Sequence, residues 1–171
     1  MPRRSLVFGN LLVALALAAL QVTVLVAVAI ARGADFDASV TGALWFIGAS
    51  VLFTVFMYGV AETMASRFAQ QEEYIAATPA IAILPWFFAG ALFPIGALPA
   101  ALTEFAKFLP LTHALALLRY GLVDPGGSGL HDIWGMSSTT AEAWLSLAVV
   151  ALFAAAFAAL AVRSFTRAAV R

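Results

Sequence analysis

Apolar residues occur in four long stretches without charged side chains, and charged or polar segments separate these stretches. An α-helix needs about 20 apolar residues to cross a hydrocarbon layer roughly 30 Å thick. The pattern therefore predicts four transmembrane helices, at about residues 8–31, 38–61, 74–93 and 143–162.

The third charge-free stretch, residues 74–103, differs from the others because it contains Pro79, Pro85, Pro94 and Pro99. Proline lacks a backbone donor and disfavours helical backbone at the residue before it. We therefore expect the third helix to continue to about residues 90–93 and to break at Pro94.

Two short apolar segments follow this break, at about residues 97–109 and 111–122, and Pro110 separates them. Neither segment is long enough to cross a membrane, yet both are more apolar than an ordinary loop. They are predicted to be re-entrant or interfacial helices that dip into the outer leaflet.

The polar segments predict the connections between these helices. Residues 32–37 form a short turn, and Ser39 is typical of the residue that begins a helix. Residues 62–73 mix charges and amides and are predicted to be a cytoplasmic connection. Residues 124–140 are rich in turn-forming residues and are predicted to be an outer loop.

Composition supports a membrane location and a single all-α domain over residues 1–171. Hydrophobic residues make up 64% of the chain and charged residues 11%, whereas soluble domains have about 45–50% and about 25%. Nine Lys+Arg balance nine Asp+Glu, so no basic surface for nucleic acid is predicted. The fold class is an all-α membrane protein with four transmembrane helices and two short helices between the third and fourth.

The distribution of positive charge predicts the orientation, since Lys and Arg concentrate in cytoplasmic loops. Six arginines lie on the side that holds both termini, and Arg32, Lys107 and Arg119 lie on the other side. Both termini are therefore predicted to be cytoplasmic. A cleaved signal peptide is the less favoured reading of the first segment, because its apolar stretch exceeds the usual length of about 7–15 residues.

Motifs for catalysis, cofactors and metal ions are missing from the sequence. It has neither the G-x-x-x-x-G-K-[ST] phosphate-binding loop nor the H-E-x-x-H zinc motif, and it has no cysteine. The chain is therefore expected to have no catalytic residue, bound cofactor or metal site of its own.

Gln21 lies near the middle of the first predicted span. A buried amide in a membrane needs a hydrogen-bond partner or water, so Gln21 either lines a translocation path or joins two helices, and the second reading is preferred. No Asp, Glu, Lys or Arg lies within a predicted span, which disfavours coupling to an ion gradient.

The segment Pro85–Gly121 resembles the motif of type-2 ABC exporter permeases. The residues that carry the resemblance follow one another in the order and close to the spacing of that family: Gly90, Phe93, Pro94, Leu98, Pro99, Pro110, Leu111, Thr112 and Arg119.

The resemblance implies that the first two spans correspond to the third and fourth helices of a six-helix permease. The first two family helices would then be missing, and the chain is expected to be truncated or completed by another chain. The implied role is the permease subunit of a bacterial inner-membrane exporter of drugs, lipids or polysaccharides. The implied partners are an ABC ATPase subunit, a second permease copy or homologue, and membrane lipid.

Several alternatives stay open at this point. The chain could be a non-transporting membrane protein or a permease remnant, and an intramembrane enzyme is the weakest reading. The proline-rich segment would be an outer gate or a structural cap. Arg119 would pair with carbonyl groups at a helix end or with a lipid phosphate. Residues 62–73 would contact the ATPase or form a solvated loop.

Overall fold

The computed structural model describes residues 3–37, 39–68 and 70–168, and in these residues it forms seven α-helices and one 3-10 turn. The helices are α1 (Arg3–Ala31), α2 (Val40–Ala65), α3 (Gln71–Phe88), α4 (Ala100–Lys107), α5 (Pro110–Leu122), α6 (Ser128–Trp134) and α7 (Thr139–Ala168). Ala38, where the second span was predicted to start, and Arg171, which was counted for the orientation, lie outside the described residues.

Three of these helices are long and apolar enough to cross a membrane: Ser5–Ala31 in α1, Val40–Ala65 in α2 and Thr139–Ser164 in α7. Each of them extends beyond the charge-free stretch that predicted it, because charged side chains at a helix end can reach water. Ser39 begins α2 as predicted, since its hydroxyl accepts a hydrogen bond from the Gly42 N–H at 2.9 Å.

The third predicted span is shorter than expected. α3 ends at Phe88, and Gly90 adopts a left-handed conformation with φ of 81° before the chain reaches Pro94. Pro79 and Pro85 lie inside α3 and do not end it. Because the first turn of α3 is polar, the apolar part of this helix covers less than the usual length of a span.

α4 and α5 form a sharply bent pair, with an angle of 81° between their axes. Pro110 lies in the first turn of α5, where its missing N–H costs no helical hydrogen bond. A 3-10 turn at Ile95–Ala97 precedes the pair. If this pair counts as one broken span, the described residues contain four spans.

Residues 124–140 are not a plain loop, because they contain α6. The Asp124 carboxylate accepts hydrogen bonds from the backbone N–H of Gly127 at 3.2 Å and of Ser128 at 2.7 Å, which supports the start of this helix. Leu130 and Ile133 are buried on its inner side. The prediction that these residues form a loop was wrong for Ser128–Trp134, since so short a helix has too few residues for helical periodicity to be visible. Their outer location stays a prediction.

The core lies where α2 packs against α7 and α5. Two glycines bring α2 and α5 together: a Cβ atom on Gly121 would lie 2.6 Å from the Gly42 carbonyl oxygen. Farther along α2, a Cβ atom on Gly59 would lie 2.7 Å from the carbonyl carbon of Phe157 in α7. Small residues allow this approach, which maximises dispersion contacts between helices in lipid.

α1 and α3 lie outside this core. In the most apolar part of α1 no residue is buried, and none of the residues of α3 is buried. An apolar cleft of about 490 Å³ separates α1 from α2, and a cavity of about 250 Å³ lies among α2, α3 and the start of α5. The chain therefore consists of a packed unit, α2–α5–α7, and two peripheral helices.

Substitution of Gly42 by alanine tests the contact between α2 and α5. The added methyl group meets the Gly121 carbonyl oxygen, which is backbone and cannot rotate away. We expect Gly42→Ala to lower the free energy of unfolding in detergent by about 1–3 kcal/mol.

Gly48→Ala on the same helix is the matched control, because the nearest atom to its added methyl group is Leu147 Cδ1 at 4.0 Å. This change should be neutral or stabilise the protein by a few tenths of a kcal/mol through helix propensity. Equal effects of the two substitutions would contradict the close approach of α2 and α5.

Candidate functional site

The segment from Ala89 to Trp134 connects the end of α3 to the start of α7, and we call it the cap. It includes α5, which packs along α2. All nine residues that carried the family resemblance lie in this segment, because they follow one another in the sequence. Gln21 lies elsewhere: it is exposed on α1 and does not line the cleft between α1 and α2. Its role stays a prediction.

The turn after α3 depends on Gly90, because its positive φ is strained for other residues. A Cβ atom there would also lie 3.0 Å from Ile95 Cγ2. The turn leaves Phe93 40% exposed, and Pro94 then begins the 3-10 turn. Gly90 and Pro94 thus reverse the chain and start the cap.

Leu98 and Pro99 lead from the 3-10 turn into α4. The Thr103 hydroxyl lies 3.0 Å from the Ile95 carbonyl oxygen and 3.1 Å from that of Leu98. The Ile95 carbonyl also accepts from the Leu98 N–H, so the Thr103 side chain adds a second donor there and supplies one to the Leu98 carbonyl at the end of the 3-10 turn.

Arg119 links α5 to the end of α3. Its Nη2 donates a hydrogen bond to the Ala91 carbonyl oxygen at 3.1 Å, just beyond the end of α3. The pairing with carbonyl groups proposed from the sequence therefore has a counterpart in the structure. The contact with a lipid phosphate is not tested by the structure.

Pro110, Leu111 and Thr112 form the first turn of α5 in different environments. Pro110 and Leu111 line the 250 Å³ cavity beside α3. Thr112 is 3% exposed, and its hydroxyl has no hydrogen-bond partner among the described residues. A buried hydroxyl without a partner is costly, so Thr112 marks a position where a ligand or water is needed.

A buried chain of hydrogen bonds fastens the cap to α7. His113 Nε2 lies 2.8 Å from the Lys107 carbonyl oxygen, and His113 Nδ1 lies 3.2 Å from Ser146 Oγ. Trp134 Nε1 donates to the same Ser146 oxygen at 2.8 Å. We call these three hydrogen bonds the relay. Its side chains, His113, Trp134 and Ser146, belong to α5, α6 and α7, and the Lys107 carbonyl belongs to the last residue of α4.

The hydrogen-bond partners limit where the hydrogens of this relay lie. A carbonyl oxygen only accepts, so His113 Nε2 carries a hydrogen. In the neutral His113 ring, Nδ1 accepts from the Ser146 hydroxyl, which itself accepts from Trp134 Nε1. Each polar atom of the relay then has its partner.

A second buried polar contact lies at the start of α7. Glu142 is 1% exposed, and its Oε1 accepts a hydrogen bond from the Met136 N–H at 2.6 Å. His131 Nδ1 lies 3.3 Å from the same oxygen. A carboxylate in the first turn of a helix is also favoured by the helix dipole. These contacts hold the connection between α6 and α7.

Hydrogen bonds also govern the charge of Asp124, which begins the connection to α6 outside the spans. Burial by itself would raise the pKa of this carboxyl group. Hydrogen bonds from the Ser128 side chain and from the backbone of Ser128, Gly129 and Gly127 outweigh burial and lower the pKa below its ordinary value. Asp124 therefore acts as an ionised acceptor.

Sequence reasoning missed the relay, because it assigned no role to His113, Trp134 or Ser146. Their partners are distant in the chain, so no local spacing connects them. The one signal was the rarity of polar residues in an apolar span, which implies a partner for each.

Ser146 and His113 resemble a nucleophile and its base, but both are buried, at 0% and 2% exposed. Among the described residues, no group of three His, Cys, Asp or Glu side chains could hold a metal ion. The cap is built to hold its shape and to connect with α3.

The described helices and their composition define a multi-pass membrane protein. The sequence model of a family described as "ABC-2 type transporter" matches residues 1–123, which include α1 to α5. The chain belongs to this family of transporter membrane domains, as the resemblance over Pro85–Gly121 indicated. These domains are permease components that work with separate ABC ATPase subunits. No curated protein and no solved structure matches the chain.

Replacement of Ser146 tests the relay. Ser146→Ala leaves the His113 Nδ1 atom and the Trp134 N–H buried without partners, so we expect the free energy of unfolding to fall by about 2 kcal/mol. Unfolding of the purified protein in mixed detergent micelles measures this change.

Ser137→Ala is the control, because Ser137 is exposed in the connection between α6 and α7. This change should stay within about 0.5 kcal/mol of the parent protein. A Ser146→Ala variant as stable as the Ser137→Ala variant would show that the relay does not hold the cap.

Proposed function

We propose that the chain is the permease subunit of an ABC exporter and that its cap, residues 89–134, is the outer gate of the translocation path. The observation that carries this proposal is the contrast between the cap and α3. The cap is fastened to α7 by the buried relay, whereas α3 has no buried residue and continues directly into the cap.

Because α3 is loosely packed and is connected to the cap, a movement of α3 can be transmitted to the gate. α3 adjoins the cavity of about 250 Å³ on the side of α2, so its movement there displaces little packed surface. At its end, α3 is connected to the cap by the turn at Gly90 and by the hydrogen bond from Arg119. A tilt of α3 would therefore pull on the part of the cap before α5, residues 89–109, while α2, α5 and α7 stay together.

The drive for this tilt would come from the other end of α3. The connection between α2 and α3 exposes Arg67, Glu72 and Glu73, and the charge distribution of the sequence places it in the cytoplasm. We propose that an ABC ATPase binds this connection and that closure of its nucleotide-bound dimer moves α3. The exposed apolar faces of α1 and α3 would meet lipid and a second permease copy or homologue.

The proposed location is the bacterial inner membrane, with both termini in the cytoplasm. The proposed substrates are amphiphilic drugs, lipids or polysaccharides. In such a machine the phosphate-binding loop belongs to the ATPase, and this chain contributes a path and mechanical coupling.

Co-purification from native membranes in mild detergent tests this function. We expect the chain to recover a soluble subunit that carries the phosphate-binding loop. ATP hydrolysis by the reconstituted complex should depend on the chain, and inverted vesicles should accumulate an amphiphilic dye in an ATP-dependent manner.

The matched control is an ATPase whose phosphate-loop lysine is replaced by alanine. It should still bind the chain but should not drive dye accumulation. If no nucleotide-binding subunit is recovered, the chain is a non-transporting membrane protein and the proposal is wrong.

Arg119→Gln tests the connection between the cap and α3. It removes a charge-assisted hydrogen bond to Ala91, of the kind that contributes about 1.5–3 kcal/mol, and should uncouple the gate from α3. We expect transport to fall at least about tenfold while co-purification with the ATPase is unchanged.

Lys107→Gln is the matched control, because Lys107 is also a cation of the cap but forms an exposed pair with Glu104. Exposed pairs contribute little, so transport should stay close to that of the parent protein. An Arg119→Gln variant with normal transport would contradict the proposed role of this contact.

A further inference from the structure

A small polar cavity lies inside the cap, apart from the relay and from the apolar cavities. Its volume is about 80 Å³, and α5, α6 and the turn after α3 enclose it. Four polar side chains line it: Thr112, Arg119, Ser128 and Asp132. The Ser128 hydroxyl already donates to Asp124, so the other three define the chemistry of the cavity. It is therefore unlike the clefts beside α1 and α3, whose walls are almost entirely apolar.

Each of Thr112, Arg119 and Asp132 has donors or acceptors that the described residues leave free to bind a ligand. Arg119 has five N–H donors, and Ala91 is its one hydrogen-bond acceptor among the described residues. The Thr112 hydroxyl is buried there without a partner. Asp132 forms no ion pair with Arg119 within the described part of the chain, although both line the same cavity.

Opposite charges that share a small cavity without touching leave room for a bridging ligand. Such a ligand must accept hydrogen bonds from a guanidinium group and donate them to a carboxylate. A phosphate binds arginine well, and a primary ammonium group suits a carboxylate. The volume of about 80 Å³ corresponds to roughly three water molecules at liquid density, which is enough for a phosphate group. Asp132 is exposed, so the aminoalkyl arm of the ligand would extend along the open side of the cavity.

An aromatic cluster that includes Tyr120, the residue after Arg119, indicates that this region lies at the boundary between membrane and water. Trp45 near the start of α2 packs against Trp144 near the start of α7, with ring centroids 4.9 Å apart. Tyr120 in α5 lies 6.2 Å from Trp45, next to Arg119 in sequence. Clusters of Trp and Tyr at helix ends are typical of the lipid headgroup region.

Exposed apolar side chains accompany the polar cavity. Leu92 is 54% exposed and Phe93 is 40% exposed, and both belong to the turn that carries Ala91, the acceptor of Arg119. A lipid whose headgroup enters the cavity would find apolar surface on this turn for its acyl chains. Free phosphoethanolamine would use the polar groups alone.

We propose that the cavity of Thr112, Arg119 and Asp132 binds a zwitterionic headgroup in which a phosphate ester carries a primary ammonium group, as in phosphatidylethanolamine. Arg119 and the Thr112 hydroxyl bind the phosphate oxygens, and Asp132 accepts hydrogen bonds from the ammonium group. Phosphatidylcholine is excluded because its trimethylated nitrogen has no N–H to donate and is bulkier. This site shares Arg119 with the proposed connection to α3, but lipid selectivity is measured on the chain alone, so its test does not depend on transport.

Native mass spectrometry of the full chain in detergent tests the proposal, with equal amounts of phosphatidylethanolamine and phosphatidylcholine added. We expect phosphatidylethanolamine to be retained about tenfold more than phosphatidylcholine. The Asp132→Asn variant should reduce this ratio to about one, because the neutral amide loses the charge that selects the ammonium group.

Glu104→Gln is the matched control, since it removes the same charge from an exposed position of the cap that does not line the cavity. It should leave the ratio unchanged. Two results would overturn the proposal and show that the cavity holds only water. One is equal retention of the two lipids by the parent protein. The other is the same ratio of retained phosphatidylethanolamine to phosphatidylcholine in the Asp132→Asn and Glu104→Gln variants.

Thr112 provides a second, independent variant. Thr112→Val should lower retention of phosphatidylethanolamine several-fold, and Thr112→Ser, which restores the hydroxyl, should keep it. If Thr112→Val instead retains the lipid fully, the hydroxyl does not bind the phosphate and the assigned site is wrong.

Soluble O-phosphoethanolamine distinguishes the two sources of this headgroup. If it displaces the retained lipid, the headgroup alone occupies the site. If the lipid is retained selectively and is not displaced, the site recognises the headgroup only as part of a lipid. Both results support the site, whereas failure of both the lipid and the soluble compound to bind would overturn it.

Discussion

The Ser146 hydroxyl is the point at which the cap is attached to the membrane-spanning part of the protein. It donates to His113 and accepts from Trp134, and through His113 the relay reaches the backbone at the end of α4. Helices that are too short to cross a membrane gain little from burial in lipid alone, since lipid is as apolar as they are. Complementary hydrogen bonds in a dry interior are therefore what hold these helices in one place.

Close packing of α2 against α5 and α7 makes these three helices one packed unit around Ser146. Gly42 and Gly121 bring α2 and α5 into backbone contact, and Gly59 does the same for α2 and α7. The relay then adds α6 to this unit. α3 is connected to it mainly through a turn and one arginine, so the part that is best placed to move is also the part that leads into the cap.

Much of this architecture follows from the sequence because lipid imposes simple rules. The charge-free stretches predicted α1, α2 and α7, since a span must be about 20 apolar residues long. Proline spacing predicted a broken segment with two short helices, and the ordered residues from Gly90 to Arg119 indicated the family. Ser39 was assigned to a helix start from its local chemistry alone.

Other features could not be read in this way. The early end of α3 depends on the backbone conformation of Gly90, whereas the prolines inside α3 proved compatible with a helix. α6 is one short helix whose start is supported by the Asp124 carboxylate, and its length is too small for a periodic pattern. His131 and Glu142 come close only because the chain reverses between α6 and α7.

The sequence by itself determined that this protein lies in a membrane, where its spanning helices run and to which family it belongs. These properties depend on local composition and on motifs within short segments. Only the tertiary structure decided that His113, Trp134 and Ser146 share one relay and that Arg119, Thr112 and Asp132 share one cavity. Such groups come from different helices, and in an apolar chain many pairings of the few polar residues would satisfy the same pattern until packing selects one.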